Sequence, residues 1–240
     1  MKQIRIILLL LAFIPARSLM AQRGGTSRTL TLQFHHNIGI DTLELGNTYI
    51  NALGDTVTIQ RFRYYVSNFA LVDKNGRIHT LPEQYFLVDE ADPASKTIVL
   101  GVPASAELIG VRFMLGVDSA RNVSGVQTGV LDPSRGMFWT WNSGYVMAKL
   151  EGSSPSAHVA GNIFTYHIGG YRQPMSTMRF IELPIASSAA TLDIVADINR
   201  WFKGNSELHI GATPVCHSPG ALAARIADNY AGMFSIKPLP

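Results

Sequence analysis

Apolar and polar residues alternate in short runs along most of this chain. Thr29–His36 places Leu30, Leu32, Phe34 and His36 on one face and Thr31, Gln33 and His35 on the other. That period of two is the mark of a half-buried strand. Thr56–Phe62 alternates again, and Arg63–Val72 is rich in β-formers. Asp73-Lys-Asn-Gly76 then reads as a turn. Tyr85–Val88, Thr97–Val102, Leu108–Leu115, Phe138–Leu150, Ile163–Ile168, Met178–Leu183 and Leu192–Val195 continue the series.

Strands at this spacing, without long helical periods between them, predict an all-β fold, an antiparallel β-sandwich. One short C-terminal helix is expected, with Ser218 as its cap, Pro219 in its first turn and Leu222, Ile226 and Tyr230 as a buried stripe. Asn199–Gly204 suits a helical turn that buries Trp201 and Phe202.

The first 21 residues differ from the rest. Lys2 and Arg5 precede an apolar run, Ile6–Ile14, which is too short to span a bilayer of roughly 30 Å. Small and polar residues follow, up to Ala21. Residues 1–21 therefore read as a secretory signal peptide, 22–28 as a flexible leader and 29–240 as one β-sandwich domain. The expected location is periplasmic or secreted, with no membrane span after cleavage.

Composition changes the picture at two points. The 240 residues carry a formal charge of +3. Lys2, Arg5 and Arg17 supply that excess, and the remaining basic and acidic residues number 17 each. A neutral domain gives no electrostatic case for nucleic acid. The single cysteine, Cys216, forms no internal disulfide, so the core or a metal must hold an exported fold together.

No phosphate loop, dinucleotide fingerprint, HExxH or GxSxG elbow is present, so no common enzyme signature is met and a non-enzymatic role is expected. The chain has seven histidines. His79, beside a turn, and His158, in a Ser/Ala-rich loop, read as surface histidines. His36 lies on the apolar parity of its strand, His167 sits in Phe-Thr-Tyr-His-Ile-Gly-Gly, and His217 follows Cys216. Imidazoles suit copper or zinc, and a sandwich can gather them from distant positions. His35 points away from His36 in a regular strand, and a bulge would reverse that.

Trp139 and Trp141 lie two apart, on one face of a strand, either as a core pair or as an aromatic wall beside a metal. Asp118, Asn122 and Asp132 occupy a polar loop. They are candidate calcium ligands, set against ordinary Asx turns.

Several strings occur together: Arg63-Tyr-Tyr-Val-Ser-Asn68, Gly116-Val-Asp-Ser119, Leu131-Asp-Pro133, Gly136-Met-Phe-Trp-Thr-Trp-Asn-Ser-Gly-Tyr145, Leu150-Glu-Gly152 and Tyr166-His-Ile-Gly-Gly170. In this order they resemble the MbnP-like copper-binding family, over about Thr29 to Ile236. The resemblance implies an exported β-sandwich that binds copper, as Cu(I) or Cu(II), through histidines. By position it implies His36, His167 and His217 as ligands, with His35 a further candidate. In some relatives a tryptophan is oxidised to kynurenine in association with a haem-containing peroxidase-like partner, and Trp139 and Trp141 are the candidates here. This chain lacks the cysteine pair of some relatives and the Trp-x-His arrangement of a kynurenine site. The expectation is therefore an unmodified tryptophan near copper.

The reading reached is an exported copper-binding protein that holds, buffers or transfers copper. Its rival is an exported structural or interaction module without a metal, whose tryptophans and histidines serve the core.

Overall fold

The structure is a computed structural model that describes residues 27–103, 107–141, 144–185 and 190–237. The signal-peptide segment, most of the leader, and Asn142 and Ser143 lie outside the described residues.

The strands, in chain order, are β1 (Ser27–Ile38), β2 (Asp41–Thr42), β3 (Thr48–Ile50), β4 (Thr56–Asp73) and β5 (Ile78–Thr80). Next come β6 (Tyr85–Asp89), β7 (Thr97–Pro103), β8 (Leu108–Leu115), β9 (Phe138–Trp139) and β10 (Gly144–Ser153). The series ends with β11 (Ile163–Gly169), β12 (Arg179–Pro184), β13 (Thr191–Asp197), β14 (Val215–Cys216) and β15 (Phe234–Ile236). Among the described residues three α-helices, α1 (Ser119–Val123), α2 (Asn199–Phe202) and α3 (Ala221–Tyr230), punctuate them.

Two sheets form. The smaller has five strands, ordered β15-β13-β1-β2, with β7 also on β1. The larger has ten, with β12-β8-β4-β10-β11-β14 as its spine. This is the expected all-β sandwich, with one difference. Both sheets are mixed: β1 runs parallel to β13, and β11 runs parallel to β14. Alternation reveals which face of a strand is buried, and is silent on which neighbour it pairs with.

The core lies between the inward faces. From β1 come Leu30, Leu32, Phe34, His36 and Ile38, and opposite them stand Phe62, Tyr64, Leu150 and Tyr166 of the larger sheet. Edge-on aromatic contacts link the layers, with Phe34 at 6.2 Å from both Tyr64 and Phe113. Aromatic pairs in this arrangement add about 0.5–1.5 kcal/mol each beyond their buried area.

β4 is one long strand where the sequence suggested two. A bulge against β10, between Glu151 and Gly152, shifts its parity, so Ile59 and then Phe62 both face inward. Ser27 and Arg28 also belong to β1 rather than to a leader. Beyond the bulge the outer face of the larger sheet is covered too. The segment after β8 folds over it, and Tyr65 donates to the Val130 carbonyl at 2.9 Å. Tyr145 likewise donates to the Leu131 carbonyl at 2.9 Å.

Asn199–Phe202 is helical as expected, and Trp201 and Phe202 are fully buried. The C-terminal helix starts later than the sequence suggested. Gly220, with φ 148, stands at its N-terminus, and no side chain caps it. Ser218 is therefore not the cap. Pro219 instead packs where a Gly170 side chain would stand, at 3.0 Å. No helix among the described residues is long and apolar enough to cross a membrane.

Candidate metal site

β10 sits between β4 and β11 with Lys149 directly opposite Arg63 on one side and His167 on the other. The next position, Leu150, pairs with Phe62 and Tyr166, all of which are buried inward. His167 therefore projects from the outer face of the larger sheet. The parallel pairing of β11 with β14 matches Thr165 to Val215 and Tyr166 to Cys216. Carried one residue further, that register sets His217 beside His167. Their rings stack with centroids 4.2 Å apart and planes 21° from parallel.

The same face carries the tryptophans. Gly169 lies two residues beyond His167, hence on the same side and about 7 Å along the strand. A Cβ on Gly169 would stand 2.7 Å from the Trp139 ring. The glycine admits the indole, a role the sequence left open to close approach of any kind. Trp139 is 7% exposed and Trp141 64% exposed, with centroids 5.3 Å apart. The expectation of two equivalent residues on one strand face is corrected. β9 ends at Trp139, so the second indole lies outside the strand and only the first is buried. A row runs from His217 over His167 to Trp139 and outward to Trp141.

Electrostatics organise the row. Nε2–H of His167 donates to Glu151 Oε1 at 2.7 Å, and Arg61 donates to Glu151 Oε2 at 3.0 Å. The His167 hydrogen bond is the main reason that the Glu151 carboxyl is pushed down to about 2, against the opposing cost of its partial burial. Lys149 donates to the Gly136 carbonyl at 2.6 Å, and burial lowers its pKa. Partial desolvation also lowers the pKa of the exposed His217, and the neighbouring His167 adds to that effect. Both push the His217 ring toward the neutral form that coordinates metals. The buried Cys216 thiol is pushed up by desolvation, toward the protonated form that coordinates metals poorly.

The remaining candidates are elsewhere. His36 faces the opposite side of the larger sheet, inside the sandwich. Its Nδ1–H donates to Glu90 at 2.6 Å, and its Nε2 accepts from the Tyr64 hydroxyl at 2.9 Å. With the core of the larger sheet between them, His36 and His167 do not share one site. His35 points to the outer face of the smaller sheet and bonds Asp193 at 2.7 Å.

The polar loop is also accounted for. Asp118 caps α1 through the Arg121 amide and accepts from Tyr85. Asn122 gives its amide to the Val117 and Asp118 carbonyls and accepts from the Tyr145 amide. Asp132 caps a separate turn through the Ser134 amide. The Asx reading thus fits all three, and they do not converge on a calcium cage. Among the described residues, no group of three or more His, Cys, Asp or Glu side chains is arranged to hold a metal. The stacked pair therefore offers two imidazole donors.

Glu151 is the site residue that sequence reasoning missed. The available signal was its alternation with Lys149 on a strand whose other positions are nearly all apolar.

The likeness to known proteins follows the same elements. A sequence profile described as MbnP matches residues 27–218. The solved structure of MbnP from Methylosinus trichosporium shares the fold, with a TM-score of 0.55 and 17% identity over 80% of this chain and 83% of that one. No curated protein matches the sequence. The profile spans β1 through the residue after His217, and with it both histidines of the stacked pair, so the chain belongs to the MbnP family.

Proposed function

We propose that this protein is an exported copper-binding protein that holds, buffers or hands over copper at the His167–His217 pair, without catalysing a reaction. The observation that carries this reading is the stack itself. One imidazole from β11 and one from the residue after β14 are held 4.2 Å apart on a sheet face, and the Trp139 indole packs over Gly169, two residues beyond His167. The partial desolvation of the otherwise exposed His217 ring, together with its neighbour His167, favours the neutral, donating form.

The donor set fits copper. Imidazole nitrogen suits Cu(I) and Cu(II), and copper heads the Irving–Williams order for such donors. With two protein donors, the remaining positions fall to solvent or to a partner, which suits transfer better than permanent storage. Copper, when bound, would supply only its own coordination chemistry. The chain's residues position the rings.

The test is metal analysis after copper loading and dialysis. His167→Ala and His217→Ala should each weaken copper binding more than tenfold, about 1.4 kcal/mol. His79→Ala, whose ring bonds Asp73, and His158→Ala should change little. Equal losses in all four variants, or no retained copper in the parent, would favour the metal-free interaction module. Intact-mass measurement on protein from the native host is expected to show unmodified tryptophans.

A further inference from the structure

We infer that Glu151 is a positioning residue that locks His167 in the Nε2–H tautomer, so that Nδ1 is the atom His167 offers to a metal. This rests on the copper reading for the identity of the metal, but the lock itself does not require copper.

The argument is one of donors and acceptors. An ionised carboxylate only accepts hydrogen bonds, and Glu151 Oε1 lies 2.7 Å from His167 Nε2. The proton must then sit on Nε2. In a neutral ring that leaves the lone pair on Nδ1. Glu151 is itself anchored. Arg61 holds its other oxygen at 3.0 Å, and Lys149 Nζ lies 3.8 Å from Oε1. Both cations come from strands paired in fixed register with β11 or its neighbour, so the carboxylate is set by the sheet and not by a mobile loop.

The two rings of the stack are held unequally. His167 projects from a strand interior with its far nitrogen committed. His217 follows a two-residue strand and is exposed. Among the described residues its ring makes no hydrogen bond. Stacked, near-parallel rings keep their in-plane lone pairs in two separate planes, so one ring must turn for both to meet a single ion. The exposed His217 is the ring free to turn, and His167 is the fixed half.

This is the arrangement in which an outer carboxylate fixes a ligand's ring and raises its basicity. Its loss typically costs about 10–100-fold in metal affinity.

The experiment uses the full protein, labelled with nitrogen-15 histidine, at about pH 8. Long-range proton–nitrogen correlation spectra report the tautomer of each ring. In the metal-free parent, His167 is expected to show a protonated Nε2 and an unprotonated Nδ1. Anaerobic addition of Cu(I), which is diamagnetic, should then shift Nδ1. Glu151→Ala should release the tautomer preference and weaken Cu(I) binding more than tenfold. Glu151→Gln retains an acceptor oxygen and should recover part of both. Thermal unfolding of each variant checks that the fold persists, and a purely structural role for Glu151 would not move the tautomer.

An Nδ1–H tautomer, a doubly protonated ring, or a Cu(I) shift at Nε2 would overturn the inference. So would a tautomer unchanged in a folded Glu151→Ala variant. The expected tautomer and its loss in Glu151→Ala, with no Cu(I) shift in the parent, would support the lock and defeat the copper reading instead.

Discussion

Gly169 is the residue on which the tryptophan side of the site depends. Its missing side chain is replaced by the Trp139 ring, and a Cβ there would also stand 2.6 Å from the Tyr145 carbonyl oxygen. Neither obstacle is the end of a flexible chain. Gly169→Ala should therefore push the indole outward and cost about 1–3 kcal/mol, the usual penalty for overpacking. Urea unfolding measures the loss, and a red-shifted tryptophan emission would report the displaced ring. Unchanged stability and emission would show that Trp139 does not need this seat. The sequence carried part of this. The two glycines after His167 marked a place of close approach, but nothing local showed that an indole from thirty residues earlier filled it. His36 shows the same limit. Its parity correctly put it on the buried face of β1, and that burial is what gives both of its nitrogens to Glu90 and Tyr64 rather than to a metal.

Elements were legible where alternation is local, and obscure where pairing decides. The long central strands announce themselves. β14, two residues long, does not, yet its parallel alignment with β11 is what brings His217 to His167. The C-terminal helix was visible from its apolar spacing, while its start was set by Pro219 packing against Gly170, a tertiary contact. How α3 docks was equally hidden. Asn229, near its end, is buried and satisfies four groups. Its amide donates to the Trp201 and Ser206 carbonyls, and its oxygen accepts from the Ser206 amide and hydroxyl. A Cβ on Gly204 would stand 2.8 Å from the Asn229 backbone, so the two segments lie in close contact. Asn229→Ala leaves the buried Trp201 carbonyl and three part-buried Ser206 groups without this partner, at about 1–3 kcal/mol for a buried group left unsatisfied. We expect a loss within that range, read as a lower denaturation midpoint. A loss below about 1 kcal/mol would mean that water takes over the network.

At the scale of the whole molecule, the sandwich joins its two sheets around a buried ionisable group, and that fixes how stability responds to acid. His36 belongs to the smaller sheet, and its side chain is fully inaccessible to solvent. The groups facing it are Glu90 and Tyr64, with Phe62 at 4.8 Å. Lys96 bonds Glu90 from the far side at 3.0 Å. Burial lowers the pKa of His36 below its ordinary 6.5, and outweighs the opposing pull of the Glu90 carboxylate. Burial alone would raise Glu90, but its bonds to His36 and Lys96 leave it below the ordinary 4.5. In both cases the unfolded chain binds protons that the folded chain does not. Stability then rises with pH, and falls as pH drops below about 6.5 toward the folded-state pKa of His36. A second fall belongs below about pH 4.5, where unfolded Glu90 takes up its proton. Urea midpoints at pH 8, 7, 6 and 5 should therefore decline from about 7 downward. His36→Gln keeps a polar group in the same space but does not titrate, so it should be less stable at pH 8 and flatter between 7 and 5. A parent whose stability is level across that window, or a His36→Gln variant with the parent's full slope, would show that the buried histidine does not set the acid response.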